Sequence, residues 1–261
     1  MTQEEMNILV PQKLHEIVEK ENIEVLWACE SGSRAWGFAS ADSDFDVRFI
    51  YRRKPPYYLK LNPGRDVIEL PVDDTWDVSG WDLDKTLKLL ERSNPTLYEW
   101  MNSPIVYIET DFRKRLQPLM RECFSEKRML YHYVNTAKSN MKHHLASDHV
   151  VPKKYFYVLR PVLACRWIMK YHKAPPVLFE TLLNEVLPEG LTVTVSKLLT
   201  LKISGPEKMT ISPIEELSSF LTDEIRNIEA YLSALPENPD DHWDALNRFF
   251  LQETGLGEFA G

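Results

Sequence analysis

The alternation of apolar and polar residues predicts strands near the start of the chain. Residues 23–29 form a mostly apolar run, which is typical of a buried strand. Residues 44–51 alternate apolar and charged side chains, as a strand with one buried face does. Shorter runs at 66–70 and 75–78 predict two further strands, and Pro11 to Glu21 has the spacing of an amphipathic helix.

The later part of the chain has the periodicity of helices. The pattern predicts helices that begin after the cap residue Asp82 and at Pro95, and longer ones over 111–123, 126–145, 153–171, 213–235 and 241–252. Pro161 is expected to kink or split the helix over 153–171. A boundary near residues 105–125 therefore separates a mixed segment, 1–110, from a helical segment, 111–261.

Composition narrows the class of protein. The chain has 261 residues, of which 44% are hydrophobic and 27% charged, as in an ordinary globular protein rather than a disordered one. The most apolar stretch, residues 155–169, is too short for a membrane span and carries two arginines. The start of the chain does not resemble a secretory signal. Three widely spaced cysteines predict buried thiols in a reducing compartment, so we expect a cytoplasmic protein.

Charge is distributed unevenly along the chain. The formal net charge is −8, yet residues 126–173 contain ten Lys and Arg against two acidic residues. This local excess indicates an anion-binding surface within an acidic protein, or else a solvated helix face.

The residues between 30 and 51 carry the clearest chemical pattern. A predicted strand ends just before Gly32 and Ser33, where a tight turn lets a phosphate approach the backbone and the serine hydroxyl. Asp44 and Asp46 follow after ten residues, on one face of the next predicted strand. Two adjacent carboxylates repel each other unless a cation lies between them, and hard oxygen ligands suit Mg²⁺.

Alone, Gly32 and Ser33 would indicate an ordinary turn, and Asp44 and Asp46 would be two exposed strand residues. Together, at this spacing and with strands on both sides, they indicate metal-assisted phosphoryl or nucleotidyl transfer.

The stretch GSRAWGFASADSDFDVRFIY resembles the signature of the DNA polymerase β-like nucleotidyltransferase superfamily, namely Gly-Ser followed by Asp-x-Asp in a strand. It is also similar to a bacterial subgroup of predicted nucleotidyltransferases, the YcgL type. The resemblance extends more weakly over residues 25–170, through SGWDL at 79–83 and SNP at 93–95. It departs from the superfamily at Ser31, where an apolar residue is usual.

The resemblance implies an α+β fold, in which a small mixed β-sheet nucleotidyltransferase domain, 1–110, is followed by an all-helical supporting domain, 111–261. It also implies two Mg²⁺ ions on Asp44 and Asp46, and a third carboxylate on a neighbouring strand that shares a metal and activates the attacking hydroxyl. Asp77 is the preferred third carboxylate because it faces opposite Trp76 and Val78. Glu69 is the second choice and Asp74 the third.

Residues expected to bind the nucleotide surround this motif. Gly32 and Ser33 would hold the phosphates, and Arg34 and Arg48 would contact the nucleotide or orient an aspartate. A basic helix face would contribute Lys153, Lys154 and Arg160, and it would bind the triphosphate or a nucleic-acid backbone unless it is simply solvated.

The chain is therefore expected to transfer a nucleoside monophosphate from an NTP to an acceptor hydroxyl. The resemblance favours an RNA end as the acceptor. A protein hydroxyl or an antibiotic remains an alternative, as does a non-catalytic nucleotide-binding regulator or antitoxin-like partner. The sequence does not specify the acceptor, the preferred base or the oligomeric state.

Overall fold

The structure, a computed structural model, describes residues 1–40, 43–62, 64–71, 76–206, 209–236 and 241–257. Within these ranges the strands are β1 (Ile23–Glu30), β2 (Phe45–Arg53), β3 (Val67–Glu69), β4 (Trp76–Asp82) and β5 (Val106–Glu109). The helices are α1 (Gln3–Glu21), α2 (Gly32–Ala35), α3 (Pro55–Tyr58), α4 (Leu83–Glu91), α5 (Pro95–Met101), α6 (Phe112–Glu122), α7 (Glu126–His144), α8 (Pro152–Tyr171), α9 (Phe179–Val186), α10 (Thr192–Ser204), α11 (Glu215–Ala234) and α12 (Trp243–Glu253).

The five strands form one mixed sheet in the order β3-β4-β2-β1-β5. Strands β2 and β4 are parallel, whereas β1 pairs antiparallel with both β2 and β5, and β3 pairs antiparallel with β4. The predicted α+β class with a small mixed sheet is confirmed.

One face of the sheet forms the core with α1. The alternate residues Phe45, Val47 and Phe49 of β2 are buried, as the sequence pattern predicts. They belong to the same apolar cluster as four α1 residues that follow one another at about one helical turn, Met6, Val10, Leu14 and Ile17. The intervening residues of β2, Asp46 and Arg48, therefore lie on the opposite face of the strand.

The chain divides into two compact units that interleave in sequence. The first comprises the described residues within 1–35, 44–123 and 240–261, and the second those within 36–43 and 124–239. Helix α12 belongs to the first unit, where Phe249 packs against Phe112 and the Glu253 carboxylate binds Arg115. The division into a catalytic segment, 1–110, and a supporting segment, 111–261, stays a prediction.

Helix α8 is not split at Pro161, contrary to one of the expected outcomes. A proline cannot donate to the carbonyl four residues earlier, which here is that of Tyr157. The side chain of Asn140 on α7 donates to this carbonyl instead, at 3.1 Å. The helix continues because a neighbouring side chain satisfies the carbonyl that the proline leaves vacant.

Two other properties of the described residues bear on the sequence analysis. Cys29, Cys123 and Cys165 are all buried free thiols, as predicted. In the part of the chain that the structure describes, no helix combines the length and apolarity needed to cross a membrane.

Candidate active site

Strand β1 leads into a turn that requires glycine. Gly32 has a φ of +58°, in the left-handed region that other residues avoid. A Cβ atom at this position would also overlap the Asp46 carboxylate. Gly32 therefore allows the turn and Asp46 to lie in direct contact. Ser33 follows at the second position of α2, where it is half-buried.

Two aspartates lie side by side on parallel strands. Asp46 of β2 and Asp77 of β4 are direct partners in the strand register, and their side chains are 31% and 38% exposed. Asp44 precedes β2 and is exposed. Burial raises the pKa of Asp46, and the negative charges of Asp77 and Asp44 add to the rise. Asp77 and Asp44 thus both lie close enough to Asp46 for their charges to repel its carboxylate.

Arg48 bridges the two strand aspartates. Its Nη2 donates to Asp46 Oδ1 at 2.9 Å and to Asp77 Oδ2 at 2.7 Å, while Nη1 donates to the Asp77 carbonyl at 2.8 Å. Its charge lowers the pKa of Asp46 against the effect of burial. Of the two roles expected for Arg48, the structure contains the pairing with an aspartate.

The competing third carboxylates lie elsewhere or outside the described residues. Glu69 is on β3, where it pairs with the exposed Arg65. Asp74 is outside the described residues, as is Thr75, at which the predicted strand began. Asp82 caps α4, as expected, by accepting from the Asp84 N–H at 3.0 Å.

The donor set has the chemistry that a hard divalent cation requires. Asp46 and Asp77 bring carboxylate oxygens to one point, and their mutual repulsion favours a cation there. In this arrangement the guanidinium of Arg48 supplies the compensating charge. Among the described residues no group of three or more His, Cys, Asp or Glu is already arranged to hold a metal ion.

Glu30 is a part of the site that the sequence analysis missed. It is the last residue of β1, is fully buried, and accepts the main-chain N–H of Asp46 at 2.6 Å. Its second oxygen accepts the Tyr107 hydroxyl. Burial raises the pKa of Glu30 to about 7. The only signal in the sequence is a charged residue closing an apolar strand directly before the turn.

The remaining predicted residues fall in both units. Arg34 lies in the first, where Nε donates to the Asp44 carbonyl at 3.1 Å and the guanidinium covers the Phe45 ring. The three basic residues of α8 lie in the second unit. Lys153 and Lys154 are partly exposed, and Arg160 is buried with its guanidinium 4.3 Å from the Trp36 ring centroid. Their role toward the nucleotide stays a prediction.

A mixed sheet that presents a Gly-Ser turn beside aspartates on adjacent strands is the arrangement of a polymerase β-like nucleotidyltransferase, and hence of an enzyme. The family model described as RlaP, RNA repair pathway DNA polymerase beta family, matches residues 6–252, and the chain belongs to this family. The resemblance stated from the sequence is confirmed.

Two individual proteins are similar to this chain, one in sequence and one in structure. The chain is 43% identical over 241 residues to the uncharacterized protein YcgL of Bacillus subtilis (strain 168). This alignment covers 92% of this chain and 93% of the relative. A nucleotidyltransferase-like protein from Exiguobacterium sibiricum 255-15 aligns with 93% of this chain and 78% of its own, at 11% identity and a TM-score of 0.33.

Proposed function

We propose that this nucleotidyltransferase uses Mg²⁺ to transfer a nucleoside monophosphate from an NTP to the hydroxyl at an RNA end, with release of pyrophosphate. The observation that carries the proposal is the pairing of Asp46 with Asp77 across parallel strands, in contact with the Gly32 turn. Carboxylates and a phosphate-sized turn at one place are the two parts that this chemistry needs.

The turn would bind the triphosphate. Without a Cβ atom at Gly32, the backbone can approach a phosphate closely, and the Ser33 hydroxyl adds a donor. Arg34 holds the carbonyl of Asp44 and so ties this turn to the start of β2. The loop and the aspartates would therefore keep a fixed spacing when the nucleotide binds.

The three aspartates would hold the metal ions. When bound, Mg²⁺ supplies charge neutralisation for the triphosphate and lowers the pKa of a coordinated hydroxyl. Asp44 immediately precedes β2, and Asp46 is the second residue of β2, in contact with the Gly32 turn. Asp77, one strand further along the sheet, would accept the proton of the attacking hydroxyl. Arg48 would keep Asp46 and Asp77 at a fixed separation.

Two observations support RNA as the acceptor. The family to which the chain belongs is described by its place in an RNA repair pathway. Residues 126–173 carry a strong positive excess in an acidic chain, and the partly exposed Lys153 and Lys154 lie among them. A basic surface of this kind suits a short contact with a phosphate backbone.

The test is transfer of label from each α-labelled NTP with Mg²⁺, with and without total RNA. Asp44→Asn, Asp46→Asn and Asp77→Asn should each lower the transfer to RNA by at least about 100-fold, since each removes a charge from the centre of the reaction. Asp111→Asn is the matched control, because Asp111 is an exposed residue paired only with Lys114 at 3.0 Å among the contacts described.

Label that enters the protein itself, or a small molecule, instead of RNA would contradict the RNA acceptor and leave the transfer reaction standing. Absence of transfer from every NTP, despite saturable Mg²⁺-dependent NTP binding, would contradict the enzymatic proposal and favour a regulatory binder.

A further inference from the structure

Glu30 places a carboxyl group in the buried part of the sheet, where charged side chains are rare. Strand β1 is otherwise apolar over its last six residues, and all of them, including Glu30, are buried. Burying an ionisable group costs free energy, and an apolar side chain of similar size is often at least as stable there. The contacts of Glu30 therefore need an explanation other than stability.

The contacts of Glu30 converge on Asp46. One carboxyl oxygen accepts the Asp46 N–H at 2.6 Å. The next residue, Ser31, donates its N–H to the Asp46 carbonyl at 2.9 Å. Glu30 and Ser31 thus bind both main-chain polar groups of Asp46, immediately before the turn at Gly32.

Glu30 is itself held from the other side. Its main-chain N–H donates to the Ile105 carbonyl at 3.0 Å, and its carbonyl accepts the Ser103 hydroxyl at 2.6 Å. Tyr107 on β5 donates its hydroxyl to the free carboxyl oxygen and accepts from Gln3 on α1 at 3.2 Å. The carboxyl group is thereby fixed to the edge strand and to the first helix.

We propose that Glu30 is a positioning residue, which together with Tyr107 fixes the main chain of Asp46 so that its carboxylate stays between Gly32 and Arg48. This inference rests on the proposed nucleotidyl transfer and deepens it. Displacing a reacting group by about 1 Å can lower a rate about 100-fold, so a contact to the backbone of Asp46 is enough to matter.

Three substitutions separate positioning from packing. Glu30→Leu removes the acceptor for the Asp46 N–H, Glu30→Gln keeps an oxygen at that point, and Tyr107→Phe removes the hydroxyl that holds the carboxyl group. We expect Glu30→Leu to lower kcat about 100-fold with KM for the NTP changed less than about threefold. Glu30→Gln should restore activity to within about tenfold of the wild type, and Tyr107→Phe should lie between the two.

A second measurement does not depend on transfer. In ¹⁵N-labelled protein the Asp46 amide should exchange slowly with solvent, and Glu30→Leu should accelerate its exchange at least about tenfold while Glu30→Gln preserves it. Glu253→Leu is the control, because it also removes a buried carboxylate from the first unit but one that binds Arg115. It should leave kcat and the Asp46 amide unchanged.

The outcomes are distinguishable. Wild-type kcat in Glu30→Leu, a change in KM alone, or equal losses in the Leu and Gln variants would overturn the positioning role. If Glu30→Leu fails to fold, the comparison of Glu30→Gln with Tyr107→Phe decides in the same way. A wild-type protein that transfers no label defeats the proposed function, whereas amide exchange still reports whether Glu30 holds Asp46.

Discussion

Arg48→Met is expected to destabilise the protein in the absence of divalent cations and much less in their presence. The substitution keeps an unbranched side chain in β2 and removes the charge that lies between Asp46 and Asp77. Two carboxylates would then face each other across parallel strands without the cation that bridges them.

The magnitude follows from the two ion pairs. Each guanidinium–carboxylate pair, with charge centres about 4 Å apart, is worth about 4 kcal/mol at an effective dielectric of about 20. The aspartates are 31% and 38% exposed, so solvent weakens both pairs. We therefore expect a loss of about 2–3 kcal/mol in the free energy of unfolding, near the lower end for a broken buried pair.

The assay is denaturant unfolding of the wild type and Arg48→Met, each with EDTA and with saturating Mg²⁺. Mg²⁺ held by the carboxylates replaces the missing charge, so the difference between the proteins should fall below about 1 kcal/mol. Arg52→Met is the matched control, because Arg52 lies on the same strand and binds Glu24 and Glu253 instead. Its cost should be the same in both buffers.

A deficit in Arg48→Met that is unchanged by Mg²⁺ would refute the inference that these carboxylates take a cation. If Arg48→Met were as stable as the wild type in EDTA, the charge of Arg48 would not be needed to offset the repulsion between the aspartates.

Three further substitutions test other parts of the structure. In urea unfolding, Gly255→Ala, at positive φ in open space, should cost about 1–2 kcal/mol for its conformation alone. Gly32→Ala should cost more, because its Cβ also displaces the Asp46 carboxylate, and it should abolish transfer. Burial raises the pKa of Asp82 to about 6, so this residue contributes stability below about pH 4 that is lost as the pH rises through 6. In urea unfolding between about pH 4 and 7, the free energy of unfolding of Asp82→Asn should therefore rise by about 3 kcal/mol relative to that of the wild type. Asn140→Leu should lower the thermal midpoint by the equivalent of about 1–2 kcal/mol, because the Tyr157 carbonyl loses its donor; an unchanged midpoint would contradict that role.

The strands were predictable where burial imposes a period on the chain. The alternation in β2 and the apolar run of β1 each follow from contact with a core, and both strands lie where the pattern places them. Strand β5 was missed because it is short and only partly buried, so it leaves no clear pattern. The periodicity predicts α1 only from Pro11, whereas the helix begins at Gln3, where Thr2 and Glu5 form a reciprocal cap.

The residue pattern alone predicts the part of the candidate site that is local in sequence, and only the family resemblance adds Asp77. Gly32 and Asp46 belong to one spacing, whereas the pairing of Asp46 with Asp77 depends on β2 and β4 being parallel. A strand pattern states which face is buried but not which strand lies beside it. The sequence pattern does not predict the role of Glu30 for the same reason, because its partner Tyr107 lies on a strand 77 residues away.

The interleaving of the two units affects how the protein is made. The strands are synthesised before helices α7 to α11, whereas α12, which supplies Phe249 to cover Phe112 and Glu253 to bind Arg115, is synthesised after them. Domains generally fold as units during synthesis, with N-terminal parts first. Here the nascent first unit is incomplete until the second unit has been synthesised. A product terminated before α12 would leave Phe112 uncovered and Arg115 without its carboxylate partner, and quality-control proteases can act on such a product.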